Sequence, residues 1–459
     1  MFVEKIKTPG LAHLSYVIGA GGRAAVIDPR RDCEVYLAAA AAQGCRITHI
    51  LETHRNEDLL SGAPLLAAQT GAEVFHGPDP AGAIAYARTV CEGETFLFDK
   101  LLIKVLETPG HTDDSLSFAI YDTAFGADAV GVFTGDALFV GDVGRTDFYP
   151  DRAAEVAGLL YDSLGKILAL GDQAILYPAH GAGSVCGNNM ADREISTLGY
   201  ERRHNPMLQL GDRDAFVATK LAEQHYQPPY FRLMERLNSE GAAAPRHPLS
   251  LPPLDAGEVE RLGREAVLVD VRGTAAYLGA HPPRSLNLPE SMVSAFAGWL
   301  LDPDQPLVLI ARDAAQATTV ARHLARIGYD RVVGYLDTTM PGWAALGGRL
   351  ASVPAVGLGE VAQRVDERPQ GWTLLDVRGA DEVAQGVIEG AQTVYLGELP
   401  QHLDALDRGR HYTTMCASGA RAAIAASVLR RHGFRAVDVF LGSMGAWQRA
   451  GCPVSAPAG

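Results

Sequence analysis

The sequence has no run approaching the roughly 20 apolar residues that a membrane helix needs, since its Ala-rich stretch Ala38–Ala42 is short. It has no surplus of positive charge either. Lys and Arg number 40 against 54 Asp and Glu, a formal net charge of −14, and this argues against a nucleic-acid partner, whose phosphates demand a basic footprint. The six cysteines, Cys33, Cys45, Cys91, Cys186, Cys416 and Cys452, show no close pairing, so a disulfide framework or a zinc ribbon is a poor fit and reduced thiols are the expectation. Met1–Lys7 scatters charges where a secretion signal needs an apolar core, which points to a cytoplasmic chain. With 47% hydrophobic and 20% charged residues, the composition leaves no room for a large disordered region. A small diffusible substrate is the class that remains.

What is present is enough chain for about three domains, 459 residues at roughly 150 each. Val267–Arg272 (VLVDVR) reappears as Thr373–Arg378 (TLLDVR), and Met340–Trp343 is echoed by Met444–Trp447. Two tandem units of about 100 residues follow from this self-similarity, over 250–352 and 353–459. Each alternates short apolar strands (Val267–Val271, Leu307–Ile310) with helix-like stretches (Ala314–Ile327, Ala420–His432) closed by Gly328 or Gly433. That alternation reads as a small α/β domain with a parallel sheet. Ahead of them, Asn238–Pro253 is rich in Pro, Ala and Ser and reads as a linker. The front segment, 1–240, mixes strands (Ser15–Ile18, Ala24–Ile27, Leu101–Leu106, Leu116–Tyr121, Val130–Thr134, Ala174–Pro178) with helices such as Cys33–Gly44, the pattern of a two-sheet α/β architecture.

Three segments of the front domain end an apolar strand with a potential ligand: Thr53-His54, Pro109-Gly110-His111 and Thr134-Gly135-Asp136. Two imidazoles and one carboxylate on one face of a metal leave the other face open, which suits non-haem Fe(II) and oxygen chemistry. With its flanks, the set resembles the metallo-β-lactamase superfamily, whose pattern is T-H-x-H-x-D-H, then a Gly-His, a Gly-Asp and a last His. His111, Asp136 and His180 match, but Asn56 and Leu59 stand where the hydrolases of that family place histidines. The resemblance implies that each half of a dinuclear zinc site has lost a ligand. His54, His111 and Asp136 are the iron triad of the superfamily's persulfide dioxygenase branch, and Gly135–Asp147 is similar to that branch's Gly-Asp…Gly-Arg-Thr-Asp segment. By this resemblance Asp58, His180 and Cys186 stand near the metal without being its ligands, and Arg145 contacts an anionic thiol substrate. An ion pair of Arg145 with Asp142 or Asp147 is the alternative, as small-residue packing is for Cys186. Ala182 occupies the position where glutathione-using relatives have an aromatic, so glutathione is not expected to be the preferred carrier.

Cys416-Ala-Ser-Gly-Ala-Arg421 follows a strand-like stretch and opens a helical one. Backbone N–H groups of such a loop converge on an anion, and the same field favours a thiolate nucleophile. Together with Asp376-Val377-Arg378 upstream and Gly442…Trp447 downstream, the loop closely resembles that of a rhodanese, of the six-residue length that handles sulfane sulfur. The resemblance makes Cys416 the sulfur carrier and Ser418, Gly419 and Arg421 its substrate contacts. The first repeat reads Ile310-Ala311-Arg312 at the matching point. It has no cysteine there, and a docking or spacer role is expected.

The expected fold is α/β, a metallo-β-lactamase-like αββα sandwich followed by two rhodanese-like domains with parallel sheets. The whole resembles bacterial fusions of persulfide dioxygenase with rhodanese. It implies one Fe(II) per chain, a low-molecular-weight thiol persulfide and O₂ as substrates, and sulfite or thiosulfate as products; self-association is compatible with it. The rival readings are a zinc thioester hydrolase of the glyoxalase II kind and a non-catalytic persulfide sensor with sulfurtransferase activity.

Overall fold

The computed structural model describes residues 1–187, 189–242, 251–262 and 265–456. They divide into two compact units, Met1–Ala244 with Ala325–Gly328, and Pro245–Leu324 with Tyr329–Gly459.

The first unit holds two six-stranded sheets. One runs Phe2–Thr8, His13–Ala20, Arg23–Ile27, Arg46–Leu51, Glu73–His76 and Arg88–Thr89 in spatial order; the other runs Ser196–Thr197, Ile175–Pro178, Ala129–Gly135, Leu116–Asp122, Leu101–Glu107 and Thr95–Phe98. Side-chain alternation along the strands separates two cores. Leu14, Tyr16 and Ile18 face inward onto Ile103, Phe118, Ile120 and Phe133 of the other sheet. Val17, Ala24 and Val26 face outward onto helices Glu34–Ala42 and Ala63–Thr70. The far face of the second sheet is covered by helices Ala153–Leu168 and Arg213–Ala222. The four layers are therefore helix, sheet, sheet, helix.

The second unit holds two five-stranded sheets, both parallel throughout the described pairings. The first runs Pro253–Leu254, Val332–Leu336, Leu307–Ile310, Val267–Asp270 and Leu286–Asn287; the second runs Ala355–Val356, Val437–Phe440, His411–Met415, Trp372–Asp376 and Gln392–Thr393. The strand order is the same in both, the structural counterpart of the repeated sequence. The shared Asp-Val-Arg run has a structural purpose, because Arg272 and Arg378 each fork back onto the Asp two residues before them, Asp270 and Asp376, at 2.6 Å.

One expectation fails at both ends. Asn238–Glu240 complete the helix Phe231–Glu240 and Pro253–Leu254 form a strand, so the segment read as a linker is structured at its margins; 243–250 lie outside the described residues. No helix among the described residues is long and apolar enough to cross a membrane.

Candidate functional site

The sheet ends deliver the three loops that bear the first donor set. Beyond Arg46–Leu51, Asp28 takes the Thr53 backbone N–H at 2.7 Å and its hydroxyl at 2.8 Å, while Thr53 Oγ1 lies 2.9 Å from His54 Nδ1. The His54 Nε2 edge is thereby left free. Beyond Leu101–Glu107, Gly110 has φ +136° and a Cβ there would come within 2.3 Å of the Leu160 backbone, so only glycine lets His111 reach the site. His111 Nδ1 lies 3.0 Å from the Arg145 carbonyl, and its Nε2 is buried with no partner. Beyond Ala129–Gly135, Gly135 has φ +53° with Thr53 filling the space where a Cβ would stand, and Asp136 follows. Asp136 Oδ2 lies 3.4 Å from His111 Nε2 and 3.8 Å from His54 Nε2, and the three donor atoms lie within 4.8 Å of one another. Burial lowers both imidazoles, His111 to about 4. Neutral imidazole is the form that binds a metal, and an orphaned buried Nε2 facing a carboxylate fits a cation between them.

Behind this set lies another. His180 reaches Asp136 Oδ1 with Nδ1 at 2.7 Å and stands 3.1 Å from Asp58 Oδ2 with Nε2. Burial pushes its pKa down, but Asp136 and then Asp58 outweigh that and raise it well above the usual value. Cys186 joins Asp58 and His180 within 4.8 Å. Leu59, at the position where the hydrolases place a histidine, is buried in the apolar interior, and Cys186 stands beside Asp58 and His180. Arg145 makes the Asp147 ion pair among its protein contacts: its Nε and Nη2 fork onto Asp147 at 2.6 Å, and Nη1 reaches the Val185 and Tyr226 carbonyls at 3.2 Å. Its own carbonyl holds His111. Exposed Ala182 lines a cavity of about 630 Å³ with His13, Thr8 and Lys7.

Sequence reasoning missed Asn238. Its Nδ2 donates to the carbonyls of Asn56 at 2.7 Å and Leu59 at 2.9 Å, and its Oδ1 accepts from Ser61 N at 2.9 Å. One buried amide thus staples the segment from Asn56 to Ser61. Tyr230 adds a hydroxyl bond to the Asp58 carbonyl at 3.0 Å. Glu57 was missed as well; its Oε2 is buried, unpartnered and 3.9 Å from His111 Nε2. The only sequence signal for any of these was the position of Asn238 and Tyr230 on an amphipathic stretch, Phe231–Glu240 with its lead-in.

In the second unit, Cys416 leaves strand His411–Met415 and is buried. The Gly419 N–H donates to its sulfur at 3.1 Å, with Gly419 at φ +116°, a conformation that favours glycine. Ser443 Oγ accepts the Cys416 N–H at 3.1 Å. Ser418 is exposed at the loop tip. Arg421 forks onto Glu382 at 2.6 Å, and the Cys416 sulfur lies near enough to add to the rise that this pairing gives the guanidinium. In the first repeat the matching loop is plugged by Gln316, which bonds to Val271 O, Glu290 and Arg312 N. The helix Ala420–Arg431 that begins at the thiol loop meets this repeat where Asn287 N donates to Ser427 Oγ at 3.0 Å.

These features define a metal-centre domain of αββα type joined to two small parallel-sheet domains, one with a thiol loop. The metallo-beta-lactamase superfamily pattern matches residues 8–180, and the rhodanese-like domain pattern matches 255–346 and 358–450. A probable metallo-hydrolase of Burkholderia pseudomallei (strain 1710b) is 30% identical over 259 residues, 48% of this chain and 86% of its own. A hydroxyacylglutathione hydrolase of Rhodospirillum rubrum is 35% identical over 162 residues, 35% of this chain and 58% of its own length. The crystal structure of a metallo-beta-lactamase from Staphylococcus aureus subsp. aureus COL is 31% identical, covers 73% of this chain and 98% of that one, and superposes with a TM-score of 0.65. The chain belongs to the metallo-beta-lactamase superfamily, with two rhodanese-like domains following that fold.

Proposed function

We propose that the front unit oxidises a low-molecular-weight thiol persulfide with O₂, and that Cys416 carries sulfane sulfur between a thiol and sulfite or thiosulfate. In balance, R–S–SH, O₂ and H₂O give R–SH, sulfite and two protons; the outer sulfur loses four electrons and O₂ gains them. The reading rests on the buried set His54, His111 and Asp136, a three-donor face with His111 Nε2 unpartnered. One Fe(II) held there would supply open positions for sulfur and oxygen. The chain's own part is orientation. Thr53 and the Arg145 carbonyl fix the two imidazoles, His180 holds Asp136, and the burial of all three donors keeps bulk water out.

At the second site, the Cys416 thiolate attacks the outer sulfur of thiosulfate, an S–S bond forms, and sulfite leaves; attack by a thiol on the outer sulfur of the Cys416 persulfide then returns the thiolate. The reverse sequence makes thiosulfate from persulfide and sulfite. The Gly419 N–H and Arg421 stabilise the anionic sulfur in both directions.

A second reading, a thioester hydrolase, is favoured by the hydroxyacylglutathione hydrolase relative and by Cys186 completing a second donor set. The two are separated by loading metal-free protein anaerobically with Fe(II) or Zn(II) and supplying a thiol persulfide or a hydroxyacyl-glutathione thioester. Oxygen uptake with iron and no thioester cleavage with either metal is the expected result. Thioester turnover with zinc, with no oxygen uptake by the iron form, would overturn the proposal.

A further inference from the structure

We propose that Glu57 is the proton-handling residue of the front unit: its carboxyl takes the proton from the outer sulfur of a bound persulfide and returns it to the inner sulfur as the S–S bond breaks. This role rests on the persulfide oxidation proposed for the site and names the group that serves its leaving thiol. Glu57 Oε2 is buried, accepts no hydrogen bond and lies 3.9 Å from His111 Nε2, the nitrogen that faces Asp136 at 3.4 Å. Yet Glu57 stands outside the group of three residues whose donor atoms all lie within 4.8 Å of one another. It is therefore beside the cation position rather than part of it, where it meets what the cation binds. An unsatisfied buried carboxyl calls for a reason, and a catalytic task is one.

The neighbouring charged groups are turned to other partners. Asp136 is held by His180, and Asp58 groups with His180 and Cys186. Asp114 takes the Arg55 backbone N–H at 2.7 Å and lies 3.3 Å from His76 Nε2. The Arg55 guanidinium reaches Asp79 at 3.1 Å and Glu235 at 3.4 Å. The backbone on either side of Glu57 is fixed, since the Asn56 carbonyl accepts from Asn238 at 2.7 Å and the Asp58 carbonyl from Tyr230 at 3.0 Å. Beside His111 the wall is apolar, with the Phe148 ring centroid 5.3 Å away and that of Phe231 6.2 Å from Phe148. An alkyl thiolate is a poor leaving group unless it is protonated as it departs, and a positioned carboxyl supplies that proton where bulk water does not reach. In balance, the S–H proton passes to Glu57, the S–S electron pair leaves with the inner sulfur, and that sulfur takes the same proton to give R–SH. O₂ and water supply the three oxygens of sulfite, and the two protons of water are released.

The test compares Fe(II)-loaded full-length Cys416→Ser chain with the same chain carrying Glu57→Gln, on two persulfides: one of an alkyl thiol and one of a nitroaryl thiol, whose thiolate leaves without a proton. Glu57→Gln should retain the parent's iron content and, by calorimetry without oxygen, its affinity for the alkyl persulfide. Its kcat for oxygen uptake should fall about a hundredfold on the alkyl persulfide and by less than about tenfold on the aryl one, the pattern of a missing general acid. Should Glu57→Gln fail to fold, Glu57→Asp serves instead; it keeps the carboxyl one methylene further back and should show the same dependence on the leaving thiol in milder form. Loss of iron would make Glu57 a ligand, equal losses on the two persulfides would make it a structural residue, and no loss on either would leave it idle; each overturns the assignment. Absence of oxygen uptake by the parent chain on both persulfides is a separate outcome, which would refute the proposed reaction and this role with it.

Discussion

Nδ1 of His180 lies 2.7 Å from Oδ1 of Asp136, so an imidazole fixes the carboxylate that completes the first donor set. Burial alone would raise the Asp136 pKa, yet His180, with His54 and His111 beyond it, holds that carboxyl far below its usual range. Groups that orient a ligand in this way are typically worth about 10–100-fold in metal affinity. His180→Ala should therefore weaken iron retention by that factor in competition with a chelator, while His111→Ala should abolish it. Equal iron affinity in His180→Ala and wild type would show that Asp136 needs no such support.

Acid should loosen the metal-free front unit through its buried imidazoles. Folded His111 stays neutral down to about pH 4, whereas an unfolded histidine takes its proton near 6.5. Between those values the unfolded state binds more protons, so stability falls as the pH drops, by about 3 kcal/mol for this group when the window is crossed. His13 and His54, also lowered, act in the same direction; His180, raised, contributes stability that is lost as the pH rises instead. Hydrogen exchange of strand Arg46–Leu51 in metal-free chain should thus quicken from pH 6.5 to 4.5, after correction for intrinsic rates, and less so in His111→Gln. Identical pH slopes in the two proteins would contradict this.

Asn238→Ala removes three hydrogen bonds from the segment between Asn56 and Ser61 and leaves buried backbone groups without partners. The expected cost is about 2–3 kcal/mol, seen as faster hydrogen exchange at Leu59–Ser61 and weaker metal binding with the thiol loop of the last repeat unaffected. Unchanged exchange in that segment would mean that the loop stands without its staple.

Cys416→Ser keeps the loop's shape but replaces the nucleophile. Thiosulfate-dependent sulfur transfer should fall by several orders of magnitude, as enzymes do on losing their nucleophile, while metal content and oxygen uptake on a supplied persulfide persist. Intact mass after exposure to a sulfane donor should show one added sulfur on wild type and none on the mutant. Full transfer by the mutant would make the last repeat, like the first with Ala311, a purely structural module.

Much of this organisation can be read from the sequence because it is local. His54, His111 and Asp136 each follow an apolar strand, and the repeated Asp-Val-Arg runs mark equivalent strands of two sheets with the same order. Cys186 was placed near the metal only by the family resemblance, and Asn238 was not read at all. Cys186 meets Asp58 only because a Gly-rich loop folds back past His180, and no periodicity encodes such a path. Asn238 acts on backbone groups 177–182 residues away, and its place at the start of a Pro- and Ala-rich stretch disguised it as linker. Arg145 was ambiguous because a guanidinium suits a carboxylate on the protein or on a substrate equally well; only packing decides that it pairs with Asp147.

The most direct test of the central claim is the stoichiometry of oxygen consumed to sulfite formed when Fe(II)-loaded Cys416→Ser protein turns over a thiol persulfide, with sulfur transfer thereby removed from the measurement. One sulfite and one thiol are expected for each O₂, lost together in His111→Ala. Persulfide consumption without oxygen uptake, or oxygen uptake that survives in His111→Ala, would contradict it.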